Sequence, residues 1–391
     1  MRNPLSKQIT EIQPSGIRKF FDIVSEMKDA ISLGVGEPDF DTPWRIREEG
    51  IYSLERGRTF YTSNAGLQEL KEEITRYLQR KIGVAYDAKK EVLVTVGGSE
   101  AIDIGLRAML DPGDEVLIPQ PSYVSYLPCT SLAGGVPVVI PLKNENEFKL
   151  TREELEAAIT PRTKVLVLPF PNNPTGAIMT REELEPIAEA VKEHDLYVMS
   201  DEIYSELTYK EKHTSIASLP GMRERTLVIN GFSKGFAMTG WRLGYVCGPE
   251  IILEQMLKIH QFAIMCAPTN SQYAAVEALR SCDGEVEKMR EAYNQRRRYL
   301  MSEFRRMGLE CFEPYGAFYV FPSIKEFGMT SDEFASRFLK EEKVAVVPGN
   351  AFGECGEGYL RISYAYSLED LKVALGRFER FINRLREEQG R

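Results

Sequence analysis

The sequence predicts an α/β protein, a mostly parallel sheet covered by helices on both faces, joined to a smaller α+β unit. Three observations carry this. Strand-like and helix-like stretches alternate between about residues 90 and 250. The strand-like runs, such as Lys164-Val-Leu-Val-Leu-Pro169, are continuously apolar, as strands buried on both faces must be. Beyond about residue 250 long amphipathic helices take over, with two short strand runs among them. A chain of 391 residues exceeds the usual size of one hydrophobic core, so two domains are expected. We place the large one at residues 41–284 and the small one at 1–40 with 285–391.

In order, residues 1–30 read as a helix-turn segment broken at Pro14-Ser-Gly-Ile17. Ile31 to Phe40 is a short strand feeding a Gly/Pro turn, where two glycines suit either a close backbone approach or an ordinary tight turn. Tyr61-Thr-Ser-Asn-Ala-Gly66 precedes a helix over Leu67–Lys81. The strand Glu91–Val96 runs into Gly97-Gly-Ser-Glu100 and a helix reaching Leu110. Strand, glycine pair and helix start make a typical anion cradle, because free N–H groups and the positive helix end share one direction. Neither G-x-G-x-x-G nor G-x-x-x-x-G-K-[ST] is present there, so the dinucleotide and P-loop readings lack their fingerprints. Asp111-Pro-Gly-Asp114 stops that helix, and Glu115–Pro119 is the next strand. Pro121 to Tyr126 opens another helix, with Tyr123 near its start. A strand at Gly135–Pro141 and a helix at Thr151–Ile159 follow. The strand Lys164–Pro169 ends in Asn172-Asn-Pro-Thr-Gly176. Thr180 and Glu183 stand in capping-box spacing at the start of a helix to Glu193. The next strand begins at Leu196 and ends on Asp201, with Tyr204 three residues on. Thr226–Asn230 and Leu243–Cys247 are strands flanking a turn that carries Lys234. Near the end, Gly316–Phe321 and Tyr359–Tyr364 read as a strand pair, and Ser367–Glu388 as a closing amphipathic helix.

Composition excludes several function classes. A net charge of −9 argues against nucleic acid as the main partner. No run of eighteen apolar residues is present, and the first residues lack an apolar signal core, so a soluble cytoplasmic protein is expected. Six cysteines without C-x-x-C spacing read as reduced packing residues, and three distant histidines make a metal centre unexpected.

Lys234 lies among Gly231, Phe232, Gly235, Phe236, Ala237 and Met238, with no acid nearby in sequence. Partly apolar surroundings lower a lysine's pKa and make it a usable amine nucleophile, able to form an imine with a carbonyl cofactor. A loop lysine facing water fits the same run equally well. Gly231-Phe-Ser-Lys-Gly235 also matches the G-x-S-x-G elbow of α/β-hydrolases, with Ser233 as nucleophile. That reading needs an acid and then a histidine downstream. Only His260 follows, with Glu250 and Glu254 on the same apparent helix, too short a segment to fold a triad back.

In open parallel sheets ligands bind beyond the carboxyl ends of the strands. Gly98, Asn173, Asp201 and Lys234 all fall at or just after such ends, so they can converge. An imine-forming lysine, an anion cradle and an aspartate together fit pyridoxal phosphate, an aldehyde with a phosphate and a ring nitrogen. A carboxylate about 4 Å from the ring nitrogen is worth roughly 4 kcal/mol at an effective dielectric of about 20, or about three pKa units. Asp201 is therefore expected to keep that nitrogen protonated.

The motifs Pro171-Asn-Asn-Pro-Thr-Gly176, Ser200-Asp-Glu-Ile-Tyr204 and Ser233-Lys-Gly-Phe-Ala-Met-Thr-Gly-Trp-Arg242 are specific in combination. With them, the chain resembles a fold-type I pyridoxal-phosphate aminotransferase of the aspartate/aromatic class, over essentially its whole length. The resemblance implies Lys234 as the Schiff-base lysine and proton shuttle, and Asp201 as partner of the ring nitrogen. Asn173 and Tyr204 would bond the ring's 3-oxygen, and Tyr123 would stack on its face. Gly98, Ser99 and Glu100 would contact the phosphate, mainly through backbone N–H groups. Arg242 would clamp it, with Ser233 or Gly231 also in reach. Arg361 would grip the substrate α-carboxylate as a fork, Gly36 offering its backbone. Tyr61 would reach the neighbouring subunit's phosphate, so a homodimer with shared active sites is expected.

The implied reaction moves an amino group from an L-amino acid to 2-oxoglutarate in two steps. Gly16-Ile-Arg-Lys-Phe20, Ser205-Glu-Leu-Thr-Tyr209 and the run from Gly316 to Lys325 resemble N-acetyl-diaminopimelate aminotransferases, and broad aspartate and aromatic enzymes share much of the pattern. Arg18 and Lys19 are candidates to read the substrate's distal group. Two alternatives stand beside this reading: a cysteine-S-conjugate β-lyase using the same cofactor, and a non-catalytic ligand-sensing domain. The second lacks any basic helix-turn-helix segment ahead of the fold.

Overall fold

The computed structural model describes residues 2–14 and 30–390, so Arg18 and Lys19 lie outside the described residues. Strands are numbered in chain order: β1 Ile31–Ser32, β2 Val92–Thr95, β3 Glu115–Gln120, β4 Val136–Pro141, β5 Thr163–Leu168, β6 Tyr197–Asp201. There follow β7 Thr226–Gly231, β8 Gly244–Cys247, β9 Tyr319–Val320, β10 Val344–Ala345, β11 Val347–Pro348 and β12 Leu360–Ser363.

Seven strands form the main sheet in the order β2-β8-β7-β6-β5-β3-β4. The predicted α/β class holds, with one departure: β8 is antiparallel to both β2 and β7. The cause is the short connection after β7, which turns the chain straight back so that Gly231 pairs with Gly244. A crossover helix would be needed to bring it round parallel. Because β8 is reversed against both neighbours, β2 and β7 still run alike, together with β6, β5 and β3. Their carboxyl ends therefore share one edge.

The strands earn this position through burial. All residues of β2, β3, β7 and β8 are buried. On one face the helices Gly98–Met109 and Glu250–Ala263 bury Ile102, Leu106, Leu253 and Met256. On the other, Leu184, Ile187 and Val191 of the helix Arg181–Glu193 join a second cluster. Each such side chain contributes about 1.5–3 kcal/mol by leaving water. Thr180 and Glu183 form the expected capping box at that helix's start.

The smaller part carries the antiparallel sheet β11-β12-β9, in which Ile362 pairs with Val320 as the two strand runs predicted. β1 pairs in parallel with β10, Ile31 opposite Val344, tying the N-terminal segment to this part. Tyr123 differs from expectation: the helix begins only at Tyr126, and Tyr123 sits in the loop before it. No helix among the described residues is long and apolar enough to cross a membrane.

Candidate active site

A cavity of about 330 Å³ opens at the shared carboxyl edge. Lys234, Asp201, Asn173, Tyr123, Arg242 and Arg361 all line it, together with Gly36, Gly98, Ser99, Tyr204 and Ser233. Residues scattered over more than three hundred positions thus face one space.

Lys234 lies three residues past the end of β7, and its Nζ donates to the Gly36 carbonyl at 2.6 Å. Burial pulls its pKa down to about 8, with Arg361 and Arg242 pushing the same way and Glu37 and Asp201 opposing. Its charge meets no contacting carboxylate among the described residues, so the neutral, nucleophilic amine is accessible near physiological pH.

Asp201 ends β6 and is buried. Burial raises its pKa, while the Tyr126 hydroxyl, donating at 2.7 Å, and the Ile203 amide at 3.2 Å hold it down. A buried carboxylate with two neutral donors and, among the described residues, no cation in contact is poised to accept from a cationic N–H.

Arg361, on β12, is buried at 3 % exposure. Its Nη1 donates to Asn173 Oδ1 at 3.0 Å and its Nη2 to the Gly34 carbonyl. Its Nε is buried without an acceptor, and it has no carboxylate partner among the described residues. The guanidinium packs 4.5 Å from the Tyr319 ring centroid and 4.7 Å from that of Phe352. Burial lowers its pKa, yet a guanidinium stays charged. A buried, unpaired cation is costly, and a ligand carboxylate removes that cost.

The anion seat forms where β2 meets its helix. Arg242 reaches over Gly97 so closely that a Cβ there would lie 2.9 Å from its Nη2. Gly244 is as constrained, since its Cβ would meet the Gly97 carbonyl carbon at 2.6 Å. The seat therefore needs glycine both in the turn and in the strand beneath it. Ser99 Oγ lies 3.3 Å from the Tyr123 hydroxyl, and buried Ser233 completes the wall. Gly231 stays in β7, paired with Gly244, and does not line the cavity.

Glu100 does not line it either. Its Oε2 accepts from the Val96 amide at 2.5 Å, and its Oε1 lies 2.6 Å from His260 Nδ1, so both carboxylate oxygens are engaged away from the seat. Tyr61 is 78 % exposed and borders a shallower depression with Phe60 and Cys266, outside this cavity. Three residues were not foreseen from sequence: Tyr126 under Asp201, His260 under Glu100, and Tyr319. The Tyr319 hydroxyl bonds that of Tyr204 at 2.8 Å. Tyr126 and Tyr319 stand inside runs already singled out, but nothing local shows where their hydroxyls point.

A nucleophilic amine facing an unpaired carboxylate clamp, at the edge of this sheet, is the working arrangement of fold-type I transferases acting on amino and oxo acids. Within that class, the family model for aminotransferases of class I and II matches residues 28–378, and the chain belongs to that family. It is 49 % identical over 97 % of its length to an aspartate aminotransferase of Pyrococcus abyssi, covering 98 % of that protein. It is 47 % identical over 97 % of its length to aromatic-amino-acid aminotransferase 2 of Thermococcus litoralis, again covering 98 %. Among solved structures, it matches the aromatic aminotransferase of Pyrococcus horikoshii with a TM-score of 0.90 at 48 % identity, over 93 % of this chain and 99 % of that one. The chain is an aminotransferase, of class I and II.

Proposed function

We propose that this enzyme is pyridoxal-phosphate dependent and moves the amino group of an L-amino acid of aspartate, aromatic or N-acetyl-diaminopimelate type to 2-oxoglutarate. The observation that carries the reading is the buried Arg361 guanidinium, without a carboxylate partner among the described residues, across one cavity from a lysine whose pKa falls to about 8. The residues present fit the cofactor: a glycine seat closed by Arg242 for its phosphate, a buried carboxylate for its ring nitrogen, an amine for its aldehyde. When bound, pyridoxal phosphate supplies that aldehyde and an electron-withdrawing ring conjugated to the substrate's Cα.

The chain's own residues supply the rest. Arg361 would hold the α-carboxylate as a fork, which orients the substrate in the cavity that Lys234 also lines. Lys234 Nζ would take the proton from Cα, and its lowered pKa leaves far more of it in the basic form near neutral pH than an ordinary lysine has. Asp201 would keep a proton on the ring nitrogen, and the Tyr126 hydroxyl opposes the rise that burial imposes on the Asp201 pKa. Asn173 and Tyr204 would bond the ring's 3-oxygen, with Tyr123 against its face and Gly98, Ser99 and Ser233 at the phosphate. Gly36 presents its backbone beside the clamp.

Both 2-oxo acid and amino acid use the same clamp in turn. Relatives named for aspartate and for aromatic substrates stand at nearly equal identity, which supports a donor range spanning both. We further propose a homodimer in which the exposed Tyr61 reaches the neighbouring subunit's phosphate seat, and domains at 41–284 and at 1–40 with 285–391. The β1–β10 pairing supports the second division. Six free thiols agree with a cytoplasmic setting.

A panel of amino donors assayed with 2-oxoglutarate tests the proposal. Glutamate formation from aspartate, phenylalanine or N-acetyl-diaminopimelate supports it. Pyruvate release from cystathionine without glutamate would instead mark a β-lyase.

A further inference from the structure

We infer that His260 is a positioning residue for the anion seat: it holds the Glu100 carboxylate turned back under the seat, where its charge cannot oppose a bound phosphate. The inference rests on the pyridoxal-phosphate reading above.

Glu100 occupies the first turn of the helix Gly98–Met109, whose first residues, Gly98 and Ser99, line the cavity. An acid there suits the helix dipole, but a free carboxylate beside a phosphate repels it. The structure resolves the conflict with one contact from a distant helix. His260 is wholly buried at 0 % exposure, and its Nδ1 lies 2.6 Å from Glu100 Oε1. Its Nε2 is buried and meets no partner among the described residues, where the Glu100 contact is the polar work this ring does. A buried imidazole kept for one contact is an expensive way to fill space that a leucine would fill without an orphaned nitrogen.

The held carboxylate also braces the turn. Its other oxygen accepts from the Val96 amide, and Thr95 Oγ1 donates to the Gly97 carbonyl at 2.9 Å. Thus the Val96 amide and the Gly97 carbonyl are fixed from below, while Gly97 and Gly98 line the cavity. Freed from His260, the carboxylate can swing to the helix N-terminus and compete for those amides.

The test compares binding of pyridoxal phosphate with that of pyridoxal, which lacks the phosphate, to the cofactor-stripped full chain by absorbance titration. His260→Leu keeps volume and donates nothing, whereas His260→Asn places an amide N–H near the position of Nδ1. The Leu variant is expected to bind pyridoxal phosphate about fivefold more weakly with pyridoxal unchanged. The Asn variant should stay within about twofold of the parent, and adding Glu100→Gln to the Leu variant should restore affinity. Unchanged pyridoxal phosphate binding by a folded Leu variant, the same loss of affinity for both ligands, or no recovery on adding Glu100→Gln would overturn the inference. If the Leu variant does not fold, an Asn variant that binds pyridoxal phosphate as weakly as pyridoxal would overturn it as well. A parent chain that binds neither ligand would instead refute the cofactor reading itself.

Discussion

Replacing Arg361 with lysine tests the centre of the proposed chemistry while keeping the charge. In the native site the guanidinium is held by Asn173 Oδ1 and the Gly34 carbonyl, which aims its remaining N–H groups into the cavity. A lysine ammonium is a single point donor. It can satisfy those two anchors or a carboxylate, but it cannot present a planar fork to the ligand. Losing one charge-assisted bond costs about 1.5–3 kcal/mol, so dissociation constants should rise about ten- to hundredfold. Because donor and acceptor use the clamp in turn, the same loss should fall on both. Stopped-flow absorbance of each half-reaction, with an amino acid and separately with a 2-oxo acid, measures the two constants. A change under twofold, or one confined to a single substrate, would refute the shared clamp.

Three further outcomes follow from particular contacts. A Cβ on Gly36 would lie 2.2 Å from Tyr319 Oη, so Gly36→Ala should lower kcat/KM by about tenfold or more, and adding Tyr319→Phe should recover part of it. Tyr126→Phe removes a donor that holds the Asp201 pKa down, so that pKa rises and the acid limb of the pH–rate profile should move to higher pH. Lys234 is depressed from 10.5 to about 8, so between those values the unfolded chain binds a proton that the folded chain does not. Its burial penalty is thus complete below about pH 8 and fades toward 10.5. Lys234→Met should therefore raise the melting temperature of the cofactor-free chain at pH 7, with the gain shrinking as pH rises, by scanning calorimetry.

Much of the fold was legible because strand and helix periodicities are local. The apolar runs located β3, β5, β6 and β7 to within a residue or two, and the Thr180–Glu183 spacing marked a helix start that the structure confirms. The reversal of β8 was not legible, since direction depends on how the chain returns across space. Nor did a pattern of glycines reveal which ones carry contacts: Gly97 and Gly244 are required by a guanidinium and a turn brought together from different strands.

By itself the sequence determined that Lys234, Asp201, Asn173 and Gly98 stand at strand ends, and a parallel sheet sends such ends to one edge. Only the tertiary structure decided which hydroxyl braces Asp201, which ring restrains Glu100 and what holds Arg361. Those contacts join residues 75, 160 and 188 positions apart. Position along a strand follows from local backbone preference, whereas the direction of a side chain is set by whatever the rest of the chain packs against it.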